Sequence, residues 1–230
     1  VMLYNVMGSA FQEMKQYGNA IICYEKSLRI ESKTPQVHFN IGEARFKLGE
    51  IKLAKDSYEI ALRISPDFAL ARVGLGKVLV DEGLNIKAEE QFRLAIKIDR
   101  NYKEAYLQLA RLYIEQKDPD QAMRVLDLVK SDQEESDLTR ELLAVAYHQQ
   151  GRHLECLKEY DALLSERQNY RPQSLQLFAA NYLEEISMEQ HLVMAKRYGN
   201  SVMLGKDHSY SSWNCEINPR KLRVGIVSGD

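Results

Sequence analysis

Apolar side chains recur at two spacings along the first 170 residues of the chain. Within short segments they return after three, four and seven positions, a spacing that predicts amphipathic helices. The whole pattern then repeats every 34 residues, most visibly in a row of small side chains at Ala20, Ala54, Ala88, Ala122 and Cys156. We predict one pair of helices in each period, and the five periods are 1–34, 35–68, 69–102, 103–136 and 137–170.

The residue types within each period fit two helices that pack closely. Four positions after each small residue comes a bulky one, in the order Tyr24, Tyr58, Phe92, Leu126 and Tyr160. Twelve positions before it comes a very small one, in the order Gly8, Gly42, Gly76, Ala110 and Ala144. Gly49, Gly83 and Gly151 stand where the turn between the two helices is expected. A 34-residue helix–turn–helix period is that of the tetratricopeptide repeat, whose units stack by nearest-neighbour packing. We therefore predict an all-α, right-handed tetratricopeptide solenoid.

The register is lost after residue 170, although helical patterning continues. Residues 171–204 are predicted to form two capping or connector helices, the first opened by Pro172 and the second by the capping box Ser187–Gln190. Asp120 is expected to cap the helix that follows it in the fourth repeat. Residues 205–220 are polar and predict a linker, whereas 221–230 are β-branched and predict one short strand. Such a strand needs a sheet to pair with, so we expect a further domain beyond it, and Val1 already lies inside the first repeat, as in a chain cut from a longer one.

Composition and charge argue against several classes of function. The formal charge of the 230 residues is −2, with 28% charged residues and no dominant basic patch, so nucleic acid is not an implied partner. No apolar run has the length of a membrane span and no signal peptide is visible, so we expect a cytoplasmic protein. Neither the three cysteines nor the histidines have metal-ligand spacing, and no catalytic set can be placed on one surface. We predict no metal, no cofactor and no enzymatic activity for this stretch of chain.

The first helix of each tetratricopeptide repeat lines the concave face of the solenoid in this repeat family. The candidate partner-binding residues are Asn5, Phe39, Asn40, Glu43, Phe46, Lys77, Val80, Asp81, Gln108, Arg111 and Ile114. An apolar and aromatic row along a concave surface predicts binding of a protein or an extended peptide. The alternative for each side chain is packing against the next repeat. Self-association through exposed solenoid ends is a further expectation.

The last fifty residues resemble one particular family. The resemblance is carried by Asn181–Leu183, Ser187–His191, Ala195–Gly199 and the stretch Lys221–Asp230, which reads KLRVGIVSGD. It is similar to the O-GlcNAc transferases and their SPINDLY-like relatives, in which repeats lead through a two-helix connector into a glycosyltransferase. The resemblance implies that 221–230 is the first strand of a catalytic domain whose catalytic and nucleotide-sugar-binding residues lie beyond this chain.

This chain differs from that family at the positions that line the groove. The family carries a ladder of asparagines at the sixth repeat position, which here holds Val6, Asn40, Gly74, Gln108 and Leu142, so that only Asn40 matches. We predict a solenoid that recruits acceptor or partner proteins for a protein glycosyltransferase dependent on a nucleotide sugar. The alternative is a free-standing scaffold or adaptor without a catalytic role. The sequence leaves the sugar and the partner open.

Overall fold

The structure, a computed structural model, describes residues 1–129, 136–166, 170–183 and 186–204. The predicted linker at 205–220 and the predicted strand at 221–230 lie outside these ranges. Within them the chain forms twelve α-helices and no strand. Their bounds are α1 (Met2–Glu13), α2 (Tyr17–Ile30), α3 (Pro35–Lys47), α4 (Ile51–Ile64), α5 (Ala69–Asp81), α6 (Asn85–Ile98), α7 (Lys103–Glu115), α8 (Pro119–Asp127), α9 (Asp137–Gln149), α10 (His153–Glu166), α11 (Tyr170–Ala180) and α12 (Met188–Leu204).

Each helix packs on its neighbours in the chain, and the first helices of successive repeats also pack on one another. The additional contacts join α3 to α5, α5 to α7 and α7 to α9. The helices α3, α5, α7 and α9 therefore form one continuous row, with the second helices of the repeats packed against it. This is the arrangement of a helical-repeat solenoid, and the prediction of an all-α solenoid is confirmed for the described residues.

The 34-residue register corresponds to the buried core. Every member of the small-residue row, from Ala20 to Cys156, is fully buried. The ring of Tyr58 shows why glycine is needed beside it. A Cβ atom on Gly42 would lie 2.6 Å from Tyr58 Cε1, and a Cβ atom on Gly74 would lie 2.5 Å from the same atom. Tyr58 is thus held between its own repeat and the next one, which ties the two repeats together.

The turn inside each repeat uses a left-handed backbone conformation at its fifteenth position. Glycine supplies this conformation at Gly49, Gly83 and Gly151, with φ between +73° and +78°. The other two repeats place lysine there, with φ of +58° at Lys15 and +62° at Lys117. The predicted turns are confirmed, and the fold tolerates a side chain at this position at some conformational cost.

The helix ends correct one expectation. The cap of α8 is Asp118, whose Oδ1 accepts a hydrogen bond from the Gln121 backbone N–H at 3.1 Å, and not Asp120, because Pro119 takes the first helical position. Pro172 lies in the first turn of α11, which begins at Tyr170, as the sequence predicted. The capping box at the start of α12 is confirmed. The Gln190 N–H donates to Ser187 Oγ at 3.2 Å, and the Ser187 N–H donates to Gln190 Oε1 at 2.8 Å.

Candidate partner-binding groove

A pocket of about 310 Å³ crosses the row of first helices at α3, α5 and α7. We call it the groove pocket, and it is lined by Phe46, Lys47, Lys77, Val80, Asp81, Glu104, Gln108, Arg111, Leu112 and Glu115. Six of the eleven predicted partner-binding residues are among them, namely Phe46, Lys77, Val80, Asp81, Gln108 and Arg111. Three successive repeats therefore contribute to one concave surface.

A hydrogen-bonded network around Glu43 lies beside the groove pocket. The Tyr58 hydroxyl donates to Glu43 Oε1 at 2.5 Å, and Lys77 Nζ lies 3.1 Å and 3.3 Å from the two oxygens of the same carboxylate. The Lys77 ammonium also lies 5.4 Å from the centroid of the Phe46 ring, within the range of a cation–π contact. Glu43 is thus occupied by groups of its own chain, and it positions Lys77 at the pocket wall.

Two tyrosines in this region, Tyr58 and Tyr102, have raised pKa values. Burial raises the pKa of Tyr58 well above its ordinary value, and the charge and hydrogen bond of Glu43 raise it further. Burial likewise raises the pKa of Tyr102 to about 12, with smaller contributions from the carboxylates of Glu104 and Glu43. Both phenols therefore remain neutral hydrogen-bonding groups at physiological pH.

Four charged side chains of the groove pocket have no ion pair or side-chain hydrogen bond within the described part of the chain. They are Lys47, Asp81, Arg111 and Glu115. All four are exposed, whereas Val80 and Phe46 beside them are half-buried and apolar. The pocket therefore offers an apolar floor with charges of both signs at its rim, a combination suited to an extended peptide.

Three predicted residues, Phe39, Asn40 and Asn5, do not line the groove pocket. Phe39 is half-buried between the rings of Tyr58 and Phe68, with centroid distances of 5.9 Å and 5.6 Å. Asn40 Oδ1 accepts a hydrogen bond from Gln36 Nε2 at 3.0 Å. Asn5 lies outside the pocket on α1, and its buried Oδ1 has no hydrogen-bond partner among the described residues.

The prediction that Ile114 is presented to a partner is wrong. Its side chain is only 7% exposed and belongs to the main hydrophobic core. The reason is that α9 packs directly on α7 at this point, and Gln149 Nε2 donates to the Ile114 carbonyl at 3.0 Å. Position 12 of the repeat faces the pocket at Phe46 and Val80 but is covered one repeat later.

An aromatic cluster at the junction of α9, α10 and α11 was not predicted. His148 and His153 lie 5.2 Å apart by ring centroids, and Tyr182 stacks on His153 at 4.6 Å and contacts Phe178 at 5.4 Å. Burial lowers the pKa of His148, and the neighbouring His153 lowers it further. The only signal in the sequence was that the two histidines flank the turn at Gly151; the loss of register hides the other two residues.

The described residues contain neither a metal site nor a membrane-spanning helix. No group of three or more histidine, cysteine, aspartate or glutamate side chains in the described ranges is arranged to hold a metal ion. None of the helices in these ranges is both long and apolar enough to cross a membrane.

Comparison with protein families agrees with the observed helix pairs. A model described as a TPR repeat matches residues 8–49, and two models described as tetratricopeptide repeat match 39–105 and 79–140. Residues 8–140 are tetratricopeptide repeats. The sequence prediction of this repeat type is confirmed over that range.

Solved tetratricopeptide-type structures share the fold at low sequence identity. PilF of Pseudomonas aeruginosa superposes with a TM-score of 0.74 at 18% identity, covering 90% of this chain and 92% of PilF. TTC0263 of Thermus thermophilus gives 0.63 at 17% identity, covering 88% and 98%. YrrB, described as a TPR protein with an unusual peptide-binding site, gives 0.61 at 17% identity, covering 77% and 91%. At these identities the likeness concerns the fold alone.

Two curated proteins match part of this chain in sequence. The human protein O-mannosyl-transferase TMTC3 is 29% identical over 97 residues, which are 42% of this chain. The CTR9 homolog of Arabidopsis thaliana is 34% identical over 77 residues, which are 34% of this chain. The matches span 11% and 7% of those two proteins, so that this chain corresponds to a small part of each.

Proposed function

We propose that the groove pocket binds a protein partner through an extended segment of that partner. The observation that carries the proposal is the set of charged side chains without partners, Lys47, Asp81, Arg111 and Glu115, around an apolar floor shared by three repeats. Exposed groups of this kind on a rigid concave scaffold leave hydrogen-bonding capacity for a ligand. YrrB, which shares the fold, is described as having an unusual peptide-binding site, and this supports peptide binding as a use of the fold.

We propose further that the partner is an acceptor protein and that the solenoid recruits it for a protein glycosyltransferase dependent on a nucleotide sugar. Two independent observations support this. The connector and the stretch Lys221–Asp230 resemble those of O-GlcNAc transferases and SPINDLY-like proteins. A second class of sugar-transferring protein, the O-mannosyl-transferase TMTC3, matches 42% of this chain.

The second candidate function is a scaffold or adaptor without a catalytic role. It is favoured by the match to the CTR9 homolog, whose name describes no transferase. Under both functions the groove pocket binds protein. They differ in whether the full-length protein also transfers a sugar.

Sugar transfer by the full-length protein separates the two candidates. The protein is incubated with a mixture of acceptor proteins and a radiolabelled donor, first UDP-GlcNAc and then a GDP-sugar, with residues 1–204 alone as the control. Transfer by the full-length protein and none by the control supports recruitment for a transferase. No transfer from either donor supports the scaffold.

The location of the binding surface has its own test. A photo-crosslinking amino acid replaces Arg111 at the groove pocket or, as a matched control, Glu90 on α6, which is exposed and contributes nothing to the pocket. We expect crosslinks to partner proteins from position 111 at several times the yield from position 90. Equal yields at the two positions would place the partner on another surface.

A further inference from the structure

Two rows of charged side chains run across the repeats at the groove pocket. The ninth repeat position holds Glu43, Lys77 and Arg111, and the thirteenth holds Lys47, Asp81 and Glu115. The sign is opposite between the two rows in each of these three repeats, so α3, α5 and α7 each carry an acid and a base one turn apart at these two positions. The lining of the pocket is accordingly balanced, with three basic and three acidic side chains once Glu104 is included.

Only one ion pair forms among the six side chains of the two rows. Lys77 pairs with Glu43 across the repeat boundary at 3.1 Å instead of with Asp81 on its own helix. This leaves Asp81 on α5 without an ionic partner among the described residues, and Arg111 on α7 is in the same position. Asp81 and Arg111 are thus an exposed acid and an exposed base on the neighbouring helices α5 and α7, with the half-buried Val80 beside them, and the exposed Lys47 and Glu115 lie at the outer edges of the same pocket.

From this arrangement we infer that the groove pocket selects a segment carrying one basic and one acidic side chain about three residues apart, the basic one at Asp81 and the acidic one at Arg111. The inference rests on the proposed protein-binding function and names the chemistry of the partner. A doubly acidic segment would bring a carboxylate to Asp81, and a doubly basic segment would bring a cation to Arg111. Each carries a like-charge contact that the mixed segment avoids.

The spacing follows from helix geometry. Asp81 and Arg111 differ by four positions in the repeat register, a rise of about 6 Å along a helix. Neighbouring helices lie about 9 Å apart, so the two Cα atoms are separated by roughly 11 Å along the diagonal. A polyproline-type extended chain returns to the same face after three residues and rises about 9 Å in doing so. The length of lysine, arginine and glutamate side chains covers the remaining difference.

Fluorescence anisotropy with four labelled peptides tests the charge pattern. The peptides are twelve residues long on one Ser/Thr/Pro scaffold and differ only in a central pair, Lys-x-x-Glu, Glu-x-x-Lys, Lys-x-x-Lys or Glu-x-x-Glu. We expect one of the mixed peptides to bind at least about tenfold more tightly than both like-charge peptides, a difference of roughly 1.4 kcal/mol. Binding by a like-charge peptide at equal or greater strength overturns the inference, as does binding by none of the four.

Exchanging the charges at positions 81 and 111 tests whether these two residues recognise the charge pattern of the peptide. The double variant Asp81→Arg with Arg111→Asp keeps the net charge and alters only exposed side chains. It is expected to bind the mixed peptide of the opposite order more tightly than the one preferred by the natural protein. The control exchange, Lys87→Glu with Glu90→Lys on exposed positions of α6, is expected to leave the preference unchanged. Circular dichroism verifies that both variants keep their helix content.

Different outcomes would contradict the proposed protein binding at the groove and the inferred charge pattern of the partner. If position 111 crosslinks partner proteins but the exchange at 81 and 111 leaves peptide preference unaltered, the groove binds protein and the charge inference is wrong. If position 111 gives no crosslinks above position 90, the groove itself is the wrong surface.

Discussion

Tyr58 connects the hydrophobic core with the floor of the groove. Its side chain is 0% exposed, its ring lies between Gly42 and Gly74, and its hydroxyl donates to Glu43. Lys77 reaches the same carboxylate from the next repeat. One residue therefore sets both the distance between two repeats and the position of a charged group at the pocket wall.

Substitution of Gly74 by alanine tests the packing of this ring. A Cβ atom there would lie 2.5 Å from Tyr58 Cε1, so the ring or the helix must shift, and we expect unfolding to become easier by about 1–3 kcal/mol. Urea denaturation followed by circular dichroism measures the change. Gly18→Ala in α2 is the matched control, because nothing lies within 4 Å of its added methyl group and helix propensity favours alanine. Equal effects of the two substitutions would contradict the close approach.

Alkaline titration tests the hydrogen bond of Tyr58. Because its pKa is raised in the folded protein, the unfolded chain loses this proton first, and stability falls as the pH rises above about 10. Absorbance at 295 nm should show a tyrosine fraction that ionises only as the protein unfolds. In Tyr58→Phe that fraction should be smaller by one tyrosine. An unchanged titration curve would mean that Tyr58 ionises with the exposed tyrosines.

At the level of the residue, the sequence predicted burial better than contacts. The small and bulky positions of the 34-residue register all lie where the pattern required, since they are defined by packing that repeats. Gly74 was noted as a missing asparagine, because the sequence does not show that the Tyr58 ring reaches into the following repeat. Likewise the Glu43–Lys77 pair was not predicted, since each residue also has an oppositely charged neighbour on its own helix.

At the level of the element, the helices differ most at their ends. α8 has nine residues, whereas the other second helices of the repeats have fourteen. It is also the helix for which an aspartate cap and a proline at the first position define the start. The hydrophobic pattern predicted that this helix exists. Its start depends on one side-chain hydrogen bond, which periodicity cannot locate to a single residue.

Substitution of the α8 cap should be measurable. Asp118→Ala removes the acceptor for the Gln121 N–H, and we expect a loss of about 1 kcal/mol in stability. Asp120→Ala removes one exposed hydrogen bond from Gln150 and should cost less than half as much. Thermal denaturation of the two variants measures the difference. A larger effect at Asp120 would restore the original assignment of the cap.

The histidine pair at the α9–α10 turn predicts sensitivity to mild acid. The pKa of His148 is lowered in the folded protein, so the unfolded chain binds the proton first and stability falls as the pH drops below about 6.5. His153→Asn removes the neighbouring charge, and the pKa of His148 should rise. NMR titration of the imidazole protons measures it. A lower or unchanged pKa would contradict the contribution assigned to His153.

At the level of the whole molecule, α1 presents an apolar face. Leu3 is 69% and Val6 59% exposed, whereas Val37, at the same repeat position as Leu3, is 0% exposed because α2 covers it. The residues at the position of Leu3 in the later repeats, Ala71, Ala105 and Thr139, are buried as well. α1 therefore carries the features of an internal surface while facing outward.

We expect this face to mediate self-association. Sedimentation velocity over a hundredfold range of concentration should show larger species for the natural chain at high concentration. Leu3→Asp with Val6→Asp should remove them, because charge cannot be buried against an apolar partner. Ile86→Asp, at an exposed apolar position on α6, is the control and should leave the profile unchanged. Persistent association of the double variant would assign the contact to another surface.

How much of the whole molecule could be predicted depends on whether the same packing recurs from repeat to repeat. A solenoid could be inferred because its period is dictated by one packing unit that recurs, and six groove residues followed from the register. Ile114 failed because exposure at position 12 depends on how closely the next repeat lies, which varies along the row. The aromatic cluster of His148 and Tyr182 involves α11, where no register remains.

The ring of Tyr58 also restricts how such a protein can evolve. Repeat arrays grow and rearrange by copying or reordering units, which requires that any unit can follow any other. Here a Cβ atom at the sixth position of the unit that follows Tyr58 would lie 2.5 Å from its ring, and the fourth and fifth units carry Gln108 and Leu142 at that position. A duplication that placed either behind Tyr58 would drive a side chain into the ring. We therefore expect rearrangements of the array to keep the second and third units adjacent.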